Sequence, residues 1–281
     1  MAISLLNNIA SLEAQNQLQV TQNKLQNTLF QLSSGSRINS GADDAAGLAI
    51  ANGLQANVTA LSQSAANAQN GVGALQVSDG GLAQVTTLLN RAVTLATESA
   101  TGTVSNNQRT ALDAEFTQIK AEIDRIGSST TFNGTSVFTA AATNIFLTDA
   151  SSAAANNTIS VTVGSLASTS ISYNGTTISF ANDNLTSSAN AVTTLADINT
   201  AISNVAGIRG TIGAGINRLQ SAVNVINSQV QNLTAAQDQI TAANIPQQVT
   251  NLSEFSILNQ SGIAALAQAN SAQQSILKLL Q

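Results

Sequence analysis

The sequence predicts a mainly α protein: a long antiparallel helical coiled-coil bundle with paired terminal helices and a small β-rich insertion. Three observations carry this reading. Apolar residues recur at heptad spacing towards both ends of the 281-residue chain. The middle loses that period and alternates apolar with polar residues around Asn-Gly pairs. Charged residues are only 8% of the chain while apolar ones are 43%, so Asn, Gln, Ser, Thr and Ala occupy surface that a soluble monomer normally covers with charge. Such a surface suits tight contact with other subunits.

The first helix is expected over residues 1–32. Leu5, Ile9 and Leu12 follow i, i+4, i+7 spacing, and Leu18, Leu25, Leu29 and Leu32 continue the stripe after a one-residue slip. The stretch LSSGSRINSGADDAAGLAI, residues 32–50, then interrupts it. Ser33, Ser34, Gly35 and Ser36 end the helix, and Ser40, Asp43 or Asp44 can cap the next. On residue types alone this stretch is either a turn between packed helices or a ligand loop.

A further helical run covers 57–100, with Leu61, Val72, Leu75, Leu82, Val85, Leu88, Leu89 and Leu95. After the turn TGTVSNNQ, the residues Leu112, Phe116, Ile119, Ile123 and Ile126 alternate spacings of four and three, an a/d seam. Residues 128–188 read as β-rich. NTISVTV alternates, and TSISYNGTTISF forms two short strands around Asn174-Gly175, a strong hairpin signal. From Leu195 to Ile240 one heptad frame runs unbroken, with Arg209 and Gln237 its large polar exceptions. Gly207, Gly210, Gly213 and Gly215 each weaken that helix by roughly 1 kcal/mol against Ala, or else allow close helix approach. NIPQ around Pro246 breaks the pattern. The last helix resumes it, with Leu252, Leu266 and Leu280 at one heptad position and Phe255, Ala269 and Ile276 at the adjacent one. Two heptad halves separated by an insertion can fold back antiparallel.

Composition excludes much chemistry. There is no His and no Cys, which removes zinc spacings, thiolate sites and any Ser/His/Asp triad. Nine basic residues against fourteen acidic ones give a net charge of −5, unsuited to nucleic acid. No apolar run approaches the ~18 residues of a membrane span, and the N-terminus has no basic-then-apolar leader. GADDAAG has no Gly-Lys-Ser/Thr of a phosphate loop, so Asp43 and Asp44 read as helix-capping acids. DAEFTQIKAEIDR places Asp113, Glu115, Lys120, Glu122, Asp124 and Arg125 on solvent faces, supported by i, i+4 pairing. No enzyme, cofactor or metal site is expected.

LSSGSRINSGADDAAGLAIAN closely resembles the N-terminal signature of bacterial flagellins. So do SLEAQNQLQVTQNKLQ before it and IDRIGSSTTFNGTSVF after it, while NLTAAQDQI and ILNQSGIAALAQANSAQQSILKLL resemble the C-terminal signature. The resemblance covers roughly 1–138 and 195–281 and indicates a short form without large outer domains. It implies a structural subunit that polymerises into the helical flagellar filament. Three regions follow: a terminal inner-tube domain of 1–44 with 241–281, an outer-tube coiled coil of 45–138 with 190–240, and a variable β-rich segment of 139–189. The loop becomes the connector between tubes, followed by a short packing helix, with Arg37, Asn39, Asp43 and Asp44 making polar contacts within or between subunits. The inner-tube seam is expected at Leu5, Ile9, Leu12, Leu25, Leu32, Leu252, Phe255, Leu266, Ile276 and Leu280.

The resemblance also implies partners and a location. These are further copies of the chain, an export chaperone, and the cap and hook-associated proteins, with export through the flagellum's own channel to the cell exterior and no cleaved signal peptide. LNRAVTLATES and LDAEFTQ resemble the contact motif for Toll-like receptor 5, with Arg91, Leu95 and Glu115 at the matching positions and Thr94 in place of an acidic residue. Gly53 and Gln281 stand where the family often has Arg. A hook–filament junction protein, or a secreted adhesin or immune-signalling ligand, is the alternative reading.

Overall fold

The computed structural model describes residues 8–139, 143–147 and 158–279. Its helices are α1 (Ile9–Ser34), α2 (Ala45–Ala100), α3 (Asn106–Ser129), α4 (Ser188–Thr241) and α5 (Ile245–Leu279). Among the described residues, seven short strands lie between α3 and α4: β1 (Thr131–Phe132), β2 (Thr135–Ser136), β3 (Thr143–Phe146), β4 (Thr158–Val161), β5 (Leu166–Ala167), β6 (Ser170–Tyr173) and β7 (Thr176–Ile178). They pair antiparallel as β1-β2, β3-β4 and β5-β6-β7. The chain divides into two compact units, residues 1–56 with 232–281 and residues 57–231. The expected short helix after the connector is not separate: α2 begins at Ala45 and continues unbroken to Ala100.

In the central unit α2 and α3 form an antiparallel hairpin. Ser105 starts α3 with a capping box, its hydroxyl accepting from the Gln108 backbone N–H while the Gln108 side chain accepts from the Ser105 N–H. Arg109, nearly buried, donates to the carbonyls of Ser99 (2.8 Å) and Thr101 (2.9 Å) and so closes the C-terminus of α2. Ser188 adds a bond to the Ala100 carbonyl. Along α4, Ile198, Val205, Ile212, Leu219 and Ile226 are buried, as the heptad frame requires. The flanking positions differ from expectation. Leu195, Ile202, Ile216 and Val223 are half-buried, whereas Thr194, Ala201, Ile208 and Gly215 on the other side are buried. The core stripe is thus wider than an a/d seam, because small residues let the β segment settle onto α4 as well.

Helical glycines make that settling possible. A Cβ on Gly207 would collide with the Tyr173 ring, and one on Gly71 would overlap Ile145. On Gly215 it would meet Val161 at 2.9 Å, and on Gly127 it would run into the backbone oxygen of Leu166. Each of these partners sits on a β strand. The close approach that glycine permits here is therefore strand to helix, not helix to helix. Gly210 and Gly213 have nothing within 4 Å of such a Cβ.

Polar side chains of the helices hold the β segment by its backbone. Asp124 accepts from the Ser168 N–H at 2.6 Å, and Asp113 from the Leu185 N–H at 2.7 Å. Lys120 donates to the carbonyl of Asp183 at 2.9 Å, and buried Asn204 to those of Ile171 and Thr176. The reading of Asp113 and Lys120 as solvent-facing is thus corrected, since both are half-buried; Asp124 stays exposed while it bonds Ser168, and Glu122 and Arg125 form an exposed i, i+3 pair. Asn133-Gly134 and Asn174-Gly175 make two-residue hairpin turns with positive φ at both positions, the type I′ geometry that matches strand twist.

Two stability tests follow from this packing. Gly127→Ala should destabilise the central unit by about 1–3 kcal/mol, because a backbone oxygen cannot move aside as a side chain can. Gly210→Ala should stabilise it by about 0.5–1 kcal/mol through helix propensity alone. Opposite shifts of the urea midpoint for the two variants would confirm the assignment, and equal shifts would refute it. The second test concerns Asp183, whose Oδ2 is buried without a hydrogen-bond partner. Burial and the Asp197 charge push its carboxyl above the usual range, against the pull of Lys120. A raised carboxyl pKa favours the fold at acid pH, and that contribution is lost as pH rises through the folded value. Asp183→Asn should therefore raise the melting temperature at neutral pH and leave it nearly unchanged in acid, as calorimetry at the two pH values would show.

Candidate functional site: the paired terminal helices and their connector

The terminal unit is built on one antiparallel helix pair. Asn8 caps α1 by accepting from the Ser11 N–H, and its side-chain amide donates to the Ala269 carbonyl. Ser11 donates to Asn270, Leu18 packs on Gly262, and Lys24 lies 5.9 Å from the centre of the Phe255 ring. The inward residues of α1 are Ser11, Ala14, Leu18, Thr21, Leu25, Thr28 and Leu32, spaced alternately three and four. Those of α5 are Leu252, Phe255, Asn259, Gly262, Leu266, Ala269 and Gln273, at the same spacing.

The seam thus includes Leu25, Leu32, Leu252, Phe255 and Leu266, all half-buried. Ile9 and Leu12 are corrected: they are 69% and 63% exposed, because the frame runs through Ser11 and Ala14 without a slip. Leu5 and Leu280 lie outside the described residues, as does the side chain of Ile276. Thr21 and Thr28 were missed as seam residues. They are buried because each hydroxyl bonds back to the carbonyl four residues earlier, leaving the methyl to pack.

The connector closes on the second interhelical linker. Gly35 ends α1 in the left-handed conformation, which suits a residue without Cβ. Ser36 then pairs with Ala242: the Arg37 N–H donates to the Thr241 carbonyl at 2.6 Å, and the Ala243 N–H to the Gly35 carbonyl at 2.9 Å. The Arg37 guanidinium donates to the Ile240 carbonyl at 2.8 Å, placing its charge at the C-terminus of α4. Asn39 donates its side-chain amide to the Ser36 carbonyl. Asp43 gathers the backbone N–H groups of Asn39 and Ser40 and the Ser40 hydroxyl. Asp44 caps α2 through the Gly47 N–H at 2.8 Å. Ile38 is buried against Gly47 beneath this turn.

The three residues matched to a receptor motif separate. Arg91 and Glu115 form an exposed bidentate pair at 2.7 and 3.0 Å, and the Arg91 hydrogen bond holds the Glu115 carboxyl below its usual range. Leu95 is corrected: it is 1% exposed, a core residue beyond the reach of any docking partner.

Burial then distinguishes the units. Among the described residues, the buried hydrophobic ones that belong to the terminal unit are Ile38 and Ala51 alone. Yet Ile9, Leu12, Val20, Leu29, Phe30 and Ile50, with Ile245, Val249, Ile257, Leu258 and Ile263, are exposed there. Eleven large apolar side chains left in solvent on one unit are a mark of a surface that other molecules cover. No group of three potential metal-ligating side chains occurs among the described residues.

One helical unit with a closed core, and another whose helix pair leaves large apolar side chains exposed, define a structural subunit class. Comparison with known proteins specifies it. Residues 5–143 match the bacterial flagellin N-terminal helical region, and residues 195–280 the bacterial flagellin C-terminal helical region. The chain belongs to the bacterial flagellin family. It is 32% identical to a 30.7 kDa flagellar filament core protein of Treponema maltophilum, over 97% of this chain and 98% of that protein. It is 31% identical to flagellin FlaB1 of Treponema pallidum, over 98% of each. A flagellin of Salmonella muenchen is 43% identical over 137 residues, 49% of this chain and 27% of its own length.

The Asp43 turn is testable by pH. Hydrogen bonds from Asn39 and Ser40 hold its carboxyl below the usual range. Its contribution is present at neutral pH and lost as pH falls through that lowered value. Asp43→Asn should abolish this acid dependence, seen as fast amide exchange at Asn39 and Ser40 already at neutral pH. Unchanged exchange would show that the carboxylate does not hold the turn.

Proposed function

We infer that the protein is a structural subunit that polymerises into the helical bacterial flagellar filament outside the cell. The observation that carries this is the terminal unit, whose described residues include two buried hydrophobic ones against eleven exposed large ones. Ordering its backbone costs about 1–2 kcal/mol per residue, which one half-buried seam cannot offset. Neighbouring copies supply the missing cover, so the ends become stably helical on assembly.

In the assembled state the paired end helices form the inner tube, the central coiled coil surrounds it, and the β segment lies outermost. The lack of a hydrophobic outer face on that segment's hairpin tips, where Asn133, Gly134, Asn174 and Gly175 are exposed, supports this order. Its further partners are an export chaperone and the cap and hook-associated proteins. The whole-length relatives named as flagellin and filament core protein favour a filament role over a hook–filament junction role. Recognition by Toll-like receptor 5 would rest on the exposed Arg91–Glu115 pair without Leu95.

Deletion of residues 250–281, or the exposed-face substitutions Phe30→Asp and Ile257→Asp, should abolish filaments in electron microscopy. The central unit should keep its melting temperature in circular dichroism, its stability changing by no more than about 0.5 kcal/mol. Long filaments from these variants would overturn the proposal.

A further inference from the structure

The sequence has four Asn-Gly pairs, and the fold places them in two different settings. Asn52-Gly53 and Asn70-Gly71 lie inside α2. Asn133-Gly134 and Asn174-Gly175 form the tips of the β1-β2 and β6-β7 hairpins. We propose that Asn133 and Asn174 are sites of spontaneous covalent modification, in which each side-chain amide is converted through a succinimide to aspartate and isoaspartate.

The chemistry needs only water. The backbone nitrogen of the glycine loses its proton and attacks the amide carbon (Cγ) of the Asn. A new N–C bond closes a five-membered ring, the bond from Cγ to Nδ2 breaks, and that nitrogen leaves as ammonia. Water then opens the ring at either carbonyl. One opening returns aspartate. The other leaves the backbone running through the former side chain, with one extra methylene in its path. The net change is amide plus water to carboxylic acid plus ammonia, with no change of oxidation state.

Three features of the hairpin tips favour the attack. The nucleophilic nitrogen belongs to a residue without a side chain, and no atom lies within 4 Å of the Cβ position of Gly134 or Gly175. All four tip residues are exposed, so water reaches the carbonyl and the ring. In a two-residue hairpin the amide at this place points away from the ladder, and its proton is free to leave. The helical pairs lack the last feature. Gly53 and Gly71 fall within the i to i−4 ladder of α2, which ties up the proton and fixes the backbone torsion that must rotate. Gly71 is also buried beneath Ile145. Asn52 and Gly53 are exposed with open space around the glycine, so this pair isolates the effect of the helix from that of exposure.

The consequence falls on charge and on register. Each event adds one negative charge to a protein of net charge −5. Isoaspartate lengthens a loop whose two residues set the pairing of Phe132 with Thr135 and of Tyr173 with Thr176. Tyr173 covers Gly207 on α4, so a lengthened loop at Asn174 also disturbs that packing.

The test is a time course on the folded full-length protein in mildly alkaline buffer, read by peptide mass and isoaspartate content, beside a urea-unfolded sample. Peptides containing Asn133 and Asn174 should gain about one dalton at least tenfold faster than those containing Asn52 and Asn70, the factor set by about 1.4 kcal/mol of helix opening. In urea all four pairs should convert at similar rates. Comparable conversion at all four pairs in the folded protein would overturn the proposal. So would an absence of conversion at Asn133 and Asn174 while the unfolded sample converts.

Discussion

Two helices packed side by side can each bury only one stripe, and this limit governs the terminal unit. Its seam is made mainly of Leu, Thr, Ala, Gly and amide residues, and large apolar side chains outside the seam, such as Phe30 and Ile257, stay exposed. The central unit escapes the limit because α2, α3, α4 and the β segment enclose a common core that includes Leu82, Leu89, Phe116, Phe180 and Leu219. One unit is closed by its own residues. The other is left with apolar faces that only further molecules can cover. The polymerising behaviour of the family follows from that inequality.

Scarce charge is used in a particular way. With 8% charged residues, the protein does not spread ion pairs over its surface. Arg109 and Arg37 serve the carbonyls at the ends of α2 and α4, and Asp44 serves the start of α2. Lys120, Asp113 and Asp124 hold backbone groups of the loop and strands. The observed ion pairs, Arg91–Glu115, Arg125–Glu122 and Arg209–Asp79, are all well exposed and contribute little each. Charge here fixes helix ends and crossings, where backbone groups would otherwise be unsatisfied. The lateral surface is left to short amides and hydroxyls, which can sit against another copy without the desolvation cost of a charge.

Much of this was legible in the sequence, and what was not has identifiable causes. The heptad frame of α4 located Ile198, Val205, Ile212, Leu219 and Ile226 because large apolar residues announce themselves. It missed Thr194, Ala201 and Gly215, since small residues carry no hydrophobic signal, though they mark where another backbone approaches. The same blindness misplaced the start of the α1 seam: Ile9 and Leu12 outshone Ser11 and Ala14, which face α5. Asn-Gly foretold both hairpin tips, because the turn geometry demands those residues. The bridge between Ser36 and Ala242 joins positions far apart in the sequence through backbone pairing, which no hydrophobic period announces.

That bridge explains why the connector is rich in short polar residues. Two linkers, one after α1 and one before α5, must cross at the distance of a β pair while each terminates a helix. Large side chains at 34–36 or 242–243 would hold the backbones apart, and the protein has Ser34, Gly35, Ser36, Ala242 and Ala243 there. The bonds from Arg37 and Ser36 to the Ile240 and Thr241 carbonyls tie the end of α4 to the end of α1 directly. Backbone and side-chain bonds thus hold the two linkers to one another at the point where each one ends a helix, so that the crossing satisfies carbonyls that helix termination would otherwise leave unpaired.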